Sequence, residues 1–110
     1  MRYIPDQGHI IWIDFNPSSG KEIMKRRPAF VISRKLFNAH TEMAIVAPIT
    51  SKIKNIKLEV ILTDGLSTAG SILVYQLKSL DFLNRQAEFI EAAPEKITAQ
   101  VLALTQIIVR

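Results

Sequence analysis

The apolar positions of this chain follow two different periods. From residue 8 to residue 15, His9, Ile11, Ile13 and Phe15 fall on one face and Ile10, Trp12 and Asp14 on the other, the alternation of a β-strand. Trp12 is expected in the core, as most strand tryptophans are. Asn16-Pro17-Ser18-Ser19-Gly20 is turn chemistry, and it opens a polar, basic stretch as far as Arg27 with neither period, which reads as a long mobile loop. Pro28 can begin a strand because its missing N–H is tolerated there, and residues 29–33 supply a second β-prone run. Residues 43–49 make a third, joined to the second by a short turn or helical piece at residues 35–40. Leu58, Val60 and Leu62 alternate with Lys57, Glu59 and Ile61 in a fourth, closed by Thr63-Asp64-Gly65. Residues 71–77 and 87–91 read as two further strands, separated by a stretch at 80–86 without clear period.

At the C-terminus the period becomes 3.6. Pro94 suits a first helical turn, Glu95 its positive end, and Ile97, Val101, Leu104 and Ile108 recur at helical spacing. Leu102, Ile107 and Val109 widen the apolar surface beyond one stripe, enough to pack on a partner subunit as well as on the chain's own sheet. Short strands followed by one amphipathic helix predict a mostly β fold, a small barrel or curled antiparallel sheet. A core this small makes dimerisation plausible.

Composition narrows the class. The 110 residues, 48% hydrophobic and 22% charged, form one globular domain spanning 1–110, with no repeat or low-complexity tract. No apolar run approaches the roughly 20 residues that cross a bilayer, so no membrane association is expected. Met1-Arg2-Tyr3-Ile4-Pro5-Asp6 has no apolar signal-peptide core, which predicts a cytoplasmic protein. Zero cysteines removes disulfides, thiolate metal sites and cysteine nucleophiles together. His9 and His40 stand far apart without a carboxylate cluster, so neither metal nor cofactor is expected, and each histidine reads as structural or solvated. There is no serine elbow, phosphate-binding loop or dinucleotide fingerprint.

The charge distribution says more than the net +4. Residues 21–57 hold nine basic side chains against Glu22 and Glu42, a net of +7, while the other 73 residues sum to −3. That asymmetry suits a polyanion, because neutralising phosphates releases counterions; it also suits a solvated face on a basic protein. Two segments could carry chemistry. In Gly20-Lys21-Glu22-Ile23-Met24-Lys25-Arg26-Arg27-Pro28 a carboxylate and several cations lie on a loop running straight into a strand, which by itself equally describes a solvated ion pair. Ala47-Pro48-Ile49-Thr50-Ser51-Lys52 ends a strand with two hydroxyls beside a lysine, a pattern ordinary turn capping also produces.

Taken together, these segments resemble the MazF/PemK-type ribonuclease toxins of bacterial toxin–antitoxin systems, over nearly the whole chain. Gly8-His9-Ile10-Ile11-Trp12-Ile13-Asp14-Phe15-Asn16-Pro17 is similar to the family's opening G-D/E-I-x-W-V-x-F-D-P strand. Arg27-Pro28-Ala29-Phe30-Val31-Ile32-Ser33 matches R-P-A-x-V-x-S. Gly20-Lys21-Glu22, Phe37-Asn38, Val46-Ala47-Pro48-Ile49-Thr50 and Gln76-Leu77-Lys78-Ser79-Leu80-Asp81 stand in the family's order around them. Against the family's G-x-E-Q-x-G-x-R-P, Ile23 replaces the glutamine and Lys25 the second glycine, and Tyr75 stands where an aspartate commonly precedes the late glutamine. These departures bear on target-sequence specificity.

The resemblance implies an SH3-like barrel of the PemK/CcdB type with a C-terminal helix, a homodimer, an acidic antitoxin partner, and metal-independent cleavage of single-stranded RNA at short sequences. It makes Arg27 the catalytic arginine, Thr50 the catalytic threonine and Glu22 the loop carboxylate. On that reading Arg27 holds the phosphoryl oxygens with paired donors, Thr50 adds a neutral donor, and Glu22 either acts as base or orients Arg27. Lys21, Lys25, Arg26, Lys52 and Lys54 would line the RNA path; Gln76, Lys78 and Arg85 are candidates for base or phosphate contacts, with Tyr75 offering a stacking face. The alternative is a non-catalytic CcdB-like toxin, or a binding module, on the same barrel. The CcdB-like toxins depend on a C-terminal tryptophan and a terminal Gly-Ile, whereas this chain has its one Trp at position 12 and ends Ile107-Ile108-Val109-Arg110.

Overall fold

A computed structural model describes residues 2–16, 25–52, 57–63 and 65–110. The elements run β1 (His9–Asp14), β2 (Arg26–Val31), α1 (Lys35–Thr41), β3 (Ala44–Thr50), β4 (Glu59–Ile61), β5 (Ser71–Leu73), a single 3-10 turn (Val74–Gln76), β6 (Lys78–Leu80), β7 (Glu88–Ala92) and α2 (Glu95–Val109). All ladders are antiparallel, in the order β4-β5-β3-β2-β1-β7, with β6 also on β3. This is the mostly β architecture with a C-terminal helix that the periodicities predict, formed as a curled sheet. Among the described residues no ladder joins its outer strands, β4 and β7.

The central strands β1, β2 and β3 are apolar on both faces because both faces are covered. Ile10, Phe30, Ala47 and Ile49 point into one core with Val60, Ile72 and Val74, capped by Ile97 and Val101 of α2. Ile11, Ile13, Ala29, Val31, Ala44 and Val46 point into a second core with Phe15, Leu80 and Phe82. Alternating residues of one strand thus enter different cores, as the twofold period of a strand requires.

Two expectations need correction. Trp12 is not in the core; it is 42% exposed. Its face is covered at Ile10, which packs with the α2 residues, but one pleat further Trp12 lies level with Pro28 and Glu88, and neither core cluster reaches it. Residues 71–77 are not one strand. After Leu73 the chain makes the 3-10 turn and resumes as β6, so β5 pairs with Ile49 and Thr50 while β6 pairs with Ala44, Ile45 and Val46 on the same β3. The turn moves the chain from one end of β3 to the other, and it brings Tyr75 and Gln76 to the surface between them. In α2, Ile107, Ile108 and Val109 are exposed in the single chain, which leaves the widened apolar end of the helix uncovered.

The arginine and threonine face of the central strands

The site is set by the register of β2 against β3. Ala29 pairs with Pro48, Phe30 with Ala47 and Val31 with Val46. Extending that register two residues brings Arg27 level with Thr50, and directly opposed residues of an antiparallel pair present their side chains on the same face. It is the face of Ala29, Val31 and Val46, so the half-buried Arg27 and the buried Thr50 stand at one end of the second core. Lys78 is on this face too, opposite Val46 on β6, four residues along β3 from Thr50 and hence about 13 Å away.

Thr50 is held by its backbone. It pairs with Ser71 of β5, and its Oγ1 accepts the Lys52 N–H at 3.2 Å. Gly70 lies against its peptide: a Cβ added there would overlap the Thr50 carbonyl oxygen and come within 2.8 Å of the carbonyl carbon, and the Gly70 φ of +115° is one that side-chain-bearing residues rarely adopt. Sequence reasoning passed over Gly70. The available signal was an isolated glycine at the head of a β-prone run, which marks a close backbone approach.

Arg27 is the second residue of β2, one residue past the segment that links β1 to β2. The base of that link is fastened on both sides: the Phe15 N–H donates to the Lys25 carbonyl and the Lys25 N–H to Asn16 Oδ1, each at 3.0 Å. The Arg85 guanidinium then donates to the carbonyls of Asp14 and Asn16 at 3.0 and 2.7 Å. Arg85 is itself set by a turn in which Asp81 accepts the N–H groups of Leu83 and Asn84 and the Asn84 amide. Hydrogen bonds from Asn84 first, opposed by a smaller desolvation, hold the Asp81 carboxyl below its ordinary range. Lys21, Glu22 and Lys54 lie outside the described residues.

The remaining predicted contact residues separate by their partners. Arg26 donates to the Gln86 carbonyl at 2.6 Å and pairs with Glu88 at 2.7 Å, which ties β2 to the start of β7. Together with Arg85 it is a cation committed within the fold. Lys25 and Lys52 are exposed at the ends of β2 and β3. Tyr75 is exposed on the 3-10 turn and receives a hydrogen bond from Gln76 Nε2 at 3.3 Å. By register the face carries Arg27, Thr50 and Lys78, with Lys25 and Lys52 exposed beyond the ends of its strands, while Tyr75 and Gln76 stand on the 3-10 turn between β5 and β6.

His9 has a structural setting. Its Nδ1 accepts the Asp6 N–H at 3.2 Å and is 2.7 Å from the Tyr3 hydroxyl, while Phe89 packs edge-on at 4.9 Å between ring centroids. Burial pushes the imidazole below its ordinary pKa, against the nearby Asp6 carboxylate. Among the described residues no three His, Asp or Glu side chains converge as metal ligands, and no helix is long and apolar enough to cross a membrane.

Comparison with known proteins gives consistent results. Residues 6–109 match the family model described as PemK-like, MazF-like toxin of type II toxin–antitoxin systems. The endoribonuclease toxin MazF of Escherichia coli K12 is 40% identical over 86 residues, 78% of this chain and 77% of that protein. The crystal structure of MazF from Deinococcus radiodurans superposes with a TM-score of 0.93 at 36% identity, covering 97% of both chains. The MazF in a MazE–MazF complex of the same organism superposes at 0.86, with 36% identity over 97% of this chain and 96% of that one.

Proposed function

The chain belongs to the PemK-like, MazF-like family of type II toxin–antitoxin toxins, and on that premise we propose that it is a sequence-specific endoribonuclease whose reaction is carried by Arg27 and Thr50. The observation that supports this assignment is the β2–β3 register, Ala29 with Pro48 through Val31 with Val46, which if continued two residues aligns Arg27 with Thr50 on one face. In the reaction the RNA's own 2′-hydroxyl loses its proton and attacks the adjacent phosphorus, and the bond to the 5′-oxygen breaks as that oxygen gains a proton. The products are a 2′,3′-cyclic phosphate and a 5′-hydroxyl. Arg27 donates two N–H groups to the phosphoryl oxygens as charge builds on the phosphorane, a geometry a point charge cannot copy. Thr50 supplies a neutral donor beside it, and Glu22 takes the proton or orients Arg27. No metal or cofactor takes part.

Lys25, Lys52 and Lys78, with Lys21 and Lys54, form the path for the RNA backbone; Tyr75 and Gln76 meet exposed bases. Arg26 and Arg85 belong to this group in the sequence reading, and their bonds to Glu88, Gln86, Asp14 and Asn16 support a bracing role. The protein acts in the cytoplasm as a homodimer, and growth is inhibited through loss of translated RNA. Its restraint is an acidic, disordered antitoxin segment that folds onto the basic face and excludes RNA. The similar chain solved in a MazE–MazF complex supports a protein partner for this one.

The test is cleavage of a long RNA in EDTA, with sites read by primer extension and ends by their chemistry. Arg27→Ala is expected to lower the single-turnover rate on the order of 100-fold or more, with Arg27→Lys recovering little. A fully active Arg27→Ala protein, restoration only by a divalent ion, or 5′-phosphate ends would overturn the mechanism.

A further inference from the structure

The two outer strands of the sheet, β4 and β7, share no ladder among the described residues, yet one side chain reaches from β7 to the connection that follows β4. Glu91, on β7, reaches the segment that connects β4 to β5 and accepts four hydrogen bonds there. Its Oε1 takes the Ser67 N–H and hydroxyl, each at 3.0 Å, and its Oε2 takes the Thr68 N–H and hydroxyl, each at 2.8 Å. Two residues beyond Thr68 the same segment reaches Gly70, where the Thr50 peptide leaves no room for a side chain, and then Ser71, which pairs with Thr50. Ser71 is fully buried and donates its hydroxyl to Glu59 Oε2 at 2.7 Å. The strand carrying Thr50 is therefore backed by a short segment whose far end is held by one carboxylate.

We propose that Glu91 is a positioning residue for Thr50: its carboxylate latches the 67–71 segment to β7, and that segment, through Gly70 and Ser71, fixes the end of β3 where the Thr50 hydroxyl is presented. The inference rests on the reading of Thr50 as a catalytic donor. Four donors converging on two carboxylate oxygens define one geometry for two consecutive residues, and charge-assisted bonds are the stronger kind. Burial at Glu91 is outweighed by these four bonds, and the group is held below its ordinary carboxylate range. An amide at this position accepts on one atom only, so Glu91→Gln sets an NH₂ group against two donors.

The experiment is a double-mutant cycle on single-turnover cleavage of an RNA oligonucleotide that the wild-type protein cuts, with RNA affinity measured separately. Glu91→Gln is expected to slow cleavage about tenfold with unchanged affinity, and to have little further effect in a Thr50→Ala background, since residues acting through one another are not additive. Equal loss in both backgrounds, or a loss confined to affinity, would overturn the latch. If Thr50→Ala itself leaves cleavage intact, it is the reading of Thr50 that fails. Should Glu91→Gln not fold, Thr68→Val removes one of the four bonds with little change of shape and is expected to slow cleavage by a smaller factor that again vanishes with Thr50→Ala; a wild-type rate for Thr68→Val would then reject the proposal.

Discussion

Replacing Gly70 by alanine tests the packing behind Thr50 in a way that can be set against an internal control. Gly70 and Gly65 both have a φ that side-chain-bearing residues rarely adopt, +115° and +97°. They differ in space: a Cβ at Gly65 meets nothing within 4 Å, whereas one at Gly70 collides with backbone atoms of Thr50 and Ser51. The backbone strain alone is worth about 1–2 kcal/mol at either site. At Gly70 the carbonyl carbon of Thr50, at 2.8 Å, must retreat by on the order of 1 Å to reach ordinary contact distance. That retreat works against the Thr50–Ser71 pairing and the bond from the Leu62 N–H to the Gly70 carbonyl at 2.9 Å, each contributing about 1 kcal/mol. Gly70→Ala should therefore cost on the order of 4 kcal/mol, among the larger effects of a single substitution, against about 1–2 kcal/mol for Gly65→Ala. In a domain of this size the melting temperature should fall by roughly 15–25 °C for the first and about 5–10 °C for the second. Thermal and urea melts followed by far-ultraviolet circular dichroism read both. Equal losses for the two variants would refute the argument, since only the contact with Thr50 distinguishes them.

Acidification should weaken the fold in two stages. His9, with its pKa lowered in the folded state, binds a proton more readily when unfolded, so stability begins to fall as the pH drops through about 6.5; Glu91, also lowered, contributes stability that is present above about 4.5 and lost below it. Urea midpoints between pH 8 and 3 should show the first stage abolished in His9→Gln and the second reduced in Glu91→Gln, and an unchanged profile in either variant would count against its assignment. Asn38, fully buried, donates to the Pro5 and Ser33 carbonyls at 2.8 and 3.2 Å and accepts the Ser33 hydroxyl at 2.5 Å. Asn38→Leu strands these groups and should cost about 2–4 kcal/mol, visible in the urea midpoint; a neutral result would mean that water reaches them.

What the sequence determines here is local and periodic. Alternation at residues 9–15 and 58–62 and the 3.6 spacing after Pro94 each select one backbone conformation that can bury their apolar atoms, and β1, β4 and α2 form there. The same logic fails over residues 71–77, because a continuous apolar run buries equally well as one strand or as a strand, a turn and a second strand; β3, offering both of its ends to be paired, decides for the latter. It fails at Trp12 because alternation assigns a face but not what covers it, and α2 extends its buried residues only as far as Ile10. Charge along the chain places cations near one another without saying what they bond: Arg26 meets Glu88 and Arg85 meets Asp14 and Asn16 across some 60 to 70 residues. Arg27 and Thr50 are legible as residue types at strand ends, but their alignment is a matter of register, which only the packing of two cores on the same three strands can fix. The roles of Gly70 and Glu91 are tertiary throughout, since a glycine is required only where another backbone approaches it, and a carboxylate becomes a latch only when curvature brings the far edge of the sheet within hydrogen-bonding reach.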